Sequence, residues 1–191
     1  MAAYKKNAAS LVGRLVFLDE SGFLLVPNVR RTWAPRGRTP ILRCAGHWEK
    51  TSVISAIAVS PKLKRLALYA RFHPKKNIRS PEVVVFLRQL LKHLRGHVVL
   101  LWDNGNHHKG TLIKQFLGKH PRLHTYRFPG YAPELNPDEF VWRNLKGAVA
   151  NSNPQDLRQL KEFIHPPLQR LRQSQKLLWS CIHGSELPWK R

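Results

Sequence analysis

Acidic residues are scarce in this chain: 11 Asp and Glu stand against 33 Lys and Arg in 191 residues, a formal net charge of +22. Such an excess points to a polyanionic partner, because neutralising phosphates releases condensed counterions and makes binding salt-sensitive. Cysteine is also sparse. Cys44 and Cys181 lie too far apart in sequence to build a disulfide framework, which suits a reducing compartment. Cys44-x-x-His47 has half of a zinc-site spacing and lacks the other half. Long apolar runs are missing as well: Val98-Val99-Leu100-Leu101-Trp102 is strand-sized, against the roughly 18 residues that a membrane span requires. Arg14 and Asp19 interrupt the apolar stretch that would follow Lys5 and Lys6 in a signal peptide. These absences predict a cytoplasmic, nucleoid-associated protein.

A hydrophobic content of 42%, with six Trp and eight Phe, supplies a packed core and excludes a disordered basic tail. Arg14 to Leu18 reads as a buried strand ending at Asp19-Glu20-Ser21-Gly22, and Phe23 to Val26 as its hairpin return, since Ser-Gly is a turn signal. Strands follow at about 51–59 and 64–71, joined by Ser60-Pro61-Lys62. The period then changes. Ser80-Pro81 reads as an N-cap with proline in the first turn, followed by the helical stripe Val83, Phe86, Leu87, Leu90, Leu91 and Leu94. His97 to Trp102 is a continuous apolar strand of the kind covered on both faces. A short helix (109–118), a strand (Leu123 to Phe128) and a helix opening at Asn136-Pro137 complete the pattern, before two helices, Gln155 to Ile164 and Leu168 to Trp179, divided by Pro166-Pro167. A meander of strands followed by alternating helices and strands predicts one α/β domain with a mixed sheet flanked by helices. Residues 1–150 would form the main domain and 151–191 a helical extension packed on it.

The few acids are not scattered. Six of the 11 fall in three places: Asp19 and Glu20, Asp103, and Glu134, Asp138 and Glu139. Carboxylates at the ends of adjacent strands converge, and in a basic protein they suit divalent cations held against phosphate oxygens. Each has an ordinary alternative. Asp19 could cap a turn, Asp103-Asn104-Gly105 could be a turn, and Glu139 could complete a capping box with Asn136. Helical periodicity puts Asp138 on the stripe of Val141, Trp142 and Leu145 and turns Glu139 away, so by that argument alone Asp138 is the inward acid.

Four stretches, Phe17-Leu-Asp-Glu-Ser-Gly-Phe23, Arg31-Thr-Trp-Ala-Pro-Arg-Gly-Arg-Thr-Pro40, Leu101-Trp-Asp-Asn-Gly-Asn-His-His108 and Tyr131-Ala-Pro-Glu-Leu-Asn-Pro-Asp-Glu-Phe-Val-Trp142, together resemble the DDE transposases of the mariner-like superfamily, in its bacterial insertion-sequence branch. The resemblance implies a ribonuclease H-like fold and DNA cleavage at transposon ends, followed by strand transfer of the freed 3′-hydroxyl. It also implies Mg²⁺, with Mn²⁺ as a substitute. Asp19, Asp103 and Glu139 match the catalytic, metal-holding acids, so the resemblance favours Glu139 where periodicity favoured Asp138. Asn104, His108 and Asp138 would shape the site, while His107 would be local and solvated. Arg31, Trp33, Arg36 and Arg38 combine phosphate-seeking charge with an aromatic suited to base stacking. Packing of Trp33 on the first hairpin is the plainer alternative for that residue. Lys5, Lys6, Lys62, Lys64, Arg65, Lys75 and Lys76 would add phosphate contacts. The expected partners are transposon-end and target DNA, a second copy of the chain on DNA, and a separate helix-turn-helix polypeptide encoded upstream. With the first acid at position 19 there is no room for such modules here, and the alternative is a catalytically silent, truncated DNA-binding relic.

Overall fold

The computed structural model describes residues 13–26, 28–42, 48–62 and 65–188. Five strands form one sheet in the order β3-β2-β1-β4-β5. These are β1 (Arg14–Leu24), β2 (Lys50–Val59), β3 (Leu66–Pro74), β4 (Val98–Trp102) and β5 (Leu123–Arg127). The meander β1-β2-β3 is antiparallel, whereas β4 lies parallel to β1 and β5 parallel to β4. Helices α1 (Ser80–His93) and α2 (Thr111–Gly118) cover one face, and α3 (Pro137–Ala148), α4 (Leu157–Gln173) and α5 (Gln175–Gly184) cover the other.

Alternation along β1 divides the core. Leu15, Phe17 and Phe23 join the α3–α5 side, while Val16 and Leu18 join the α1–α2 side, as the two-residue period of a strand requires. The apolar β4 is buried at every position, in agreement with its reading as a covered central strand. The exposed edge of β3 is sealed by side chains. Gln175 accepts from Leu66 N and donates to Leu66 O, both at 2.8 Å, and Arg172 donates to Leu68 O and Ala70 O. Such covering prevents unpaired edge groups from recruiting another strand.

Three local expectations are corrected. Ser21-Gly22 makes no hairpin turn, because β1 runs straight through it and pairs Ser21 with Val53 and Gly22 with Ser52. Long-range pairing with β2 overrides the local turn preference. Pro166 and Pro167 do not divide two helices but lie within α4. The carbonyls they leave without amide partners belong to Glu162 and Phe163 on the exposed side, while Leu160, Ile164, Leu168 and Leu171 keep the buried stripe continuous. The break comes at Ser174, which caps α5 by accepting from Leu177 N at 3.2 Å. Arg79, and not Ser80, occupies the N-cap of α1, and the Ser80 hydroxyl donates instead to His107 O at 2.8 Å.

Candidate active site

The parallel ladder between β1 and β4 ends at Phe17–Leu101. Asp19, midway along β1, and Asp103, just past the end of β4, each follow two residues later, so the two acids stand at the same level on neighbouring strands. Beyond β5, a loop and a 3₁₀ turn (Pro133–Leu135) lead into α3, whose cap Asn136 accepts from Asp138 N at 3.2 Å. Glu139 forms no reciprocal capping box with Asn136, and its side chain is exposed. Asp19, Asp103 and Glu139 therefore line one cleft of about 430 Å³, together with Asn104, Gly105, Tyr131 and Asn136. The turn expected at Asp103 is also present, since Gly105 N donates to Asp103 Oδ1 at 2.8 Å.

Each acid sits in a different electrostatic setting. Asp19 is buried, and Trp142 Nε1 of α3 donates to its Oδ2 at 2.9 Å. Burial, with the charges of Glu20 and Glu139, pushes its carboxyl up to about 8 in spite of that bond. Asp103 is half exposed and is held down to about 2, chiefly by the adjacent His108, with help from Gly105 N. His108 Nδ1 lies 2.8 Å from Asp103 Oδ1 in an ion-pair contact bent away from linear hydrogen-bond geometry. Burial pulls the His108 imidazole down, but Asp103 and Glu20 outweigh it and raise the group to about 9.

Asp138 is fully buried on the stripe with Val141 and Trp142. Periodicity was right that it faces inward, yet inward here means the core and not the cleft. Ser55, paired with Asp19 across β1 and β2, donates to Asp138 Oδ1 at 3.1 Å, and Oδ2 has no hydrogen-bond partner among the described residues. Burial and the nearby Asp19 raise the Asp138 carboxyl well above the usual range. It also lies near Cys181, a buried free thiol pushed up to about 12 mainly by its own burial.

Asn104 lines the cleft and accepts from Arg127 Nη1 at 3.3 Å. Arg31, Trp33, Arg36 and Arg38 are not in the cleft. They lie on an exposed excursion between β1 and β2 that is tied to the end of α3, where Asn151 side-chain atoms bond Arg30 N and Arg30 O at 2.8 and 2.9 Å. Trp33 is 100% exposed, which overturns its alternative reading as a packed structural side chain. Lys62, Arg65, Lys75 and Lys76 are exposed, and Lys75 pairs with Glu49 at 2.6 Å. Lys5, Lys6, Lys64 and the Cys44-x-x-His47 spacing fall outside the described residues.

Two features were missed in the sequence. Glu20 and His107 belong to the site's surroundings: His107 Nε2 and His108 Nε2 approach the two oxygens of Glu20 at 3.1 Å each, so His107 is not merely solvated. The alternation of β1 was the available signal, since it sends Glu20 to the face opposite Asp19. Tyr131, fully exposed on the cleft, has φ +54°, a conformation that L-residues with side chains seldom adopt and that clusters at functional sites.

The family described as DDE superfamily endonuclease matches residues 14–161. The chain belongs to the DDE superfamily endonucleases. No curated protein matches it. Among solved structures, this DDE endonuclease is similar to the Mos1 mariner paired end complex with Mn, at 19% identity and TM-score 0.69, over 95% of this chain and 54% of that one. The Mos1 strand transfer complex matches at 18% identity and TM-score 0.68, over 95% and 53%. The isolated Mos1 mariner transposase catalytic domain matches at 15% and 0.56, over 97% and 89%. The endonuclease thus spans about half the length of the Mos1 chains in those two complexes and nearly all of the catalytic domain, whose ribonuclease H-like fold it shares. No helix among the described residues is long and apolar enough to cross a membrane.

Proposed function

We propose that this DDE endonuclease is the catalytic domain of a DNA transposase, with Asp19, Asp103 and Glu139 as its metal-holding catalytic acids. The observation that carries the reading is the convergence of these acids from β1, the end of β4 and α3 on one cleft in a chain of net charge +22. The residues fit divalent cations. All the acid donors are hard carboxylate oxygens, Asp103 and Glu139 are open to the cleft, and the crowding of Asp19 with Glu20 and Glu139 is a charge arrangement that a cation would relieve. Mg²⁺, or Mn²⁺ in its place, would polarise the scissile phosphate and lower the pKa of the attacking hydroxyl.

The remaining work falls to the chain itself. Trp142 fixes Asp19, and the cap at Asn136 starts α3 where Glu139 can reach the cleft. Arg31, Arg36 and Arg38 hold backbone phosphates, and Trp33 stacks on an unpaired or distorted base. The likeness to the Mos1 paired end and strand transfer complexes supports transposon-end DNA as a substrate, and target DNA is the second substrate of the proposed strand transfer. We further propose that it acts as a homodimer on DNA, with end recognition supplied by a separate helix-turn-helix polypeptide encoded upstream and the assembly held on the nucleoid. Residues 1–150 would carry the catalytic fold and 151–191 brace it, in keeping with the packing of α4 and α5 against β1–β3. In a plasmid-nicking assay with Mg²⁺, Asp103→Asn should abolish cleavage and leave DNA binding intact or stronger, because one repulsive charge is gone. Cleavage retained by that variant would refute the assignment.

A further inference from the structure

On the side of β1 opposite Asp19, Glu20 meets a short 3₁₀ turn, Asn106–His108. Both of its carboxylate oxygens are engaged, Oε2 by His107 Nε2 and Oε1 by His108 Nε2. The His108 side chain is wholly buried and stacked on Trp102 with ring centroids 4.4 Å apart, so the ring has no room to turn. Its other nitrogen faces Asp103 Oδ1 at 2.8 Å. The turn is anchored from below by Ser80. Gly105 permits its close approach, because a Cβ there would lie 2.5 Å from His107 Cε1 and 2.9 Å from Asp103 Oδ1.

We propose that Glu20 and His108 are positioning residues, a strut from β1 to the end of β4 that fixes Asp103 for metal binding. The proposal rests on the reading of Asp103 as a metal ligand. The ladder stops at Phe17–Leu101, and the Asp103 side chain is 51% exposed. Nothing in the sheet itself therefore holds its carboxylate. His108 and Gly105 N both engage Oδ1, which leaves Oδ2 without a partner among the described residues and free for the cleft. Losing a group that orients a metal ligand in this way typically weakens metal binding by about 10- to 100-fold. Glu20, His107 and His108 also place three donor atoms within 4.8 Å of one another, as a metal centre of their own would. The contacts speak against that use: both Glu20 oxygens and both His108 nitrogens already face a partner, and His108 is closed to solvent.

The test is Mn²⁺ binding to the intact chain, measured by electron paramagnetic resonance and calorimetry, with thermal melts to verify folding. Asp103→Asn should weaken the site. Glu20→Gln and His108→Gln should each weaken Mn²⁺ by about 10- to 100-fold. His108→Asn should recover part of that loss, because its amide nitrogen falls where Nδ1 sits and can still meet Asp103, whereas Gln reaches only toward Glu20. A merely structural role would affect the two amides alike. Wild-type affinity in both Glu20→Gln and His108→Gln, beside a weakened Asp103→Asn, overturns the strut. Wild-type affinity in Asp103→Asn overturns the metal reading beneath it. One Zn²⁺ per chain, kept in Asp103→Asn and lost in His107→Ala, overturns the strut by making the trio a metal centre. If the His108 variants do not fold, Glu20→Gln decides alone.

Discussion

Asp138 and Glu139 are adjacent acids in the first turn of α3, and exchanging each for its amide separates burial from catalysis. Asp138 is fully buried, and desolvation, with the charge of Asp19, raises its carboxyl and favours the uncharged form. Asn keeps its volume and the oxygen that accepts from Ser55, and it places an amide where Oδ2 already lacks a partner. Asp138→Asn should therefore change stability by no more than about 1 kcal/mol, whereas Asp138→Leu strands the Ser55 hydroxyl and costs about 1–3 kcal/mol. Glu139 is exposed, so Glu139→Gln should leave stability unchanged. If its carboxylate holds a catalytic metal, the variant loses several kcal/mol of transition-state stabilisation, of which about 3 kcal/mol alone is a rate loss on the order of 10². Urea denaturation and Mg²⁺-dependent plasmid nicking measure the two effects separately. An inactive but folded Asp138→Asn beside a fully active Glu139→Gln would refute the argument and make Asp138 the third acid.

Stability without divalent cation should fall as pH rises. The folded protein holds the Asp19 proton up to about pH 8 against a reference of 3.8, so that contribution is complete below about pH 4 and is lost toward pH 8, with a slope near 1.4 kcal/mol per pH unit at most. Denaturation of wild type and Asp19→Asn between pH 4 and 9 checks this: the variant should be flatter, and parallel curves would contradict it. Trp142→Phe removes the donor to Asp19 and should cost about 1–3 kcal/mol, more at pH 9 than at pH 5, because an ionised carboxylate needs that donor most. Equal costs at both pH values would show that the indole acts through packing alone. Alanine at Arg31, Arg36 and Arg38 together should weaken DNA binding regardless of sequence and reduce the salt slope by about 0.9 for each phosphate that is no longer neutralised. An unchanged slope in fluorescence anisotropy would remove this segment from the DNA interface.

The elements legible in the sequence are those whose local pattern agrees with their packing. The apolar run of β4 demanded burial on both faces, and the stripe of α1 demanded one covered side. The misreadings lie where distant partners overrule local preference: Ser21-Gly22 is a turn signal drawn straight by ten paired residues of β2, and Pro166-Pro167 is a breaker tolerated on an exposed helical face. The site divides similarly. Asp19 and Asp103 stood out because acids are rare in this chain, whereas Glu139 was favoured over its neighbour Asp138 only through the family resemblance. The duties of Glu20, Ser55 and Trp142 did not, because each depends on a partner far away in sequence: 88 residues for Glu20 and His108, 83 for Ser55 and Asp138, and 123 for Trp142 and Asp19.

Asp19 and Glu20 are neighbours along the chain yet serve opposite sides of the sheet, one turned toward Trp142 and the other toward His108. The dipeptide is thus a phase mark for β1. A one-residue deletion between Arg14 and Leu18 that drew the strand forward would not simply shorten it: every later side chain would change sides, delivering Glu20 to the indole and Asp19 into the apolar place of Leu18. Length changes in this stretch should therefore be tolerated in pairs and rejected singly, a parity rule imposed on the gene by the pleat of one strand.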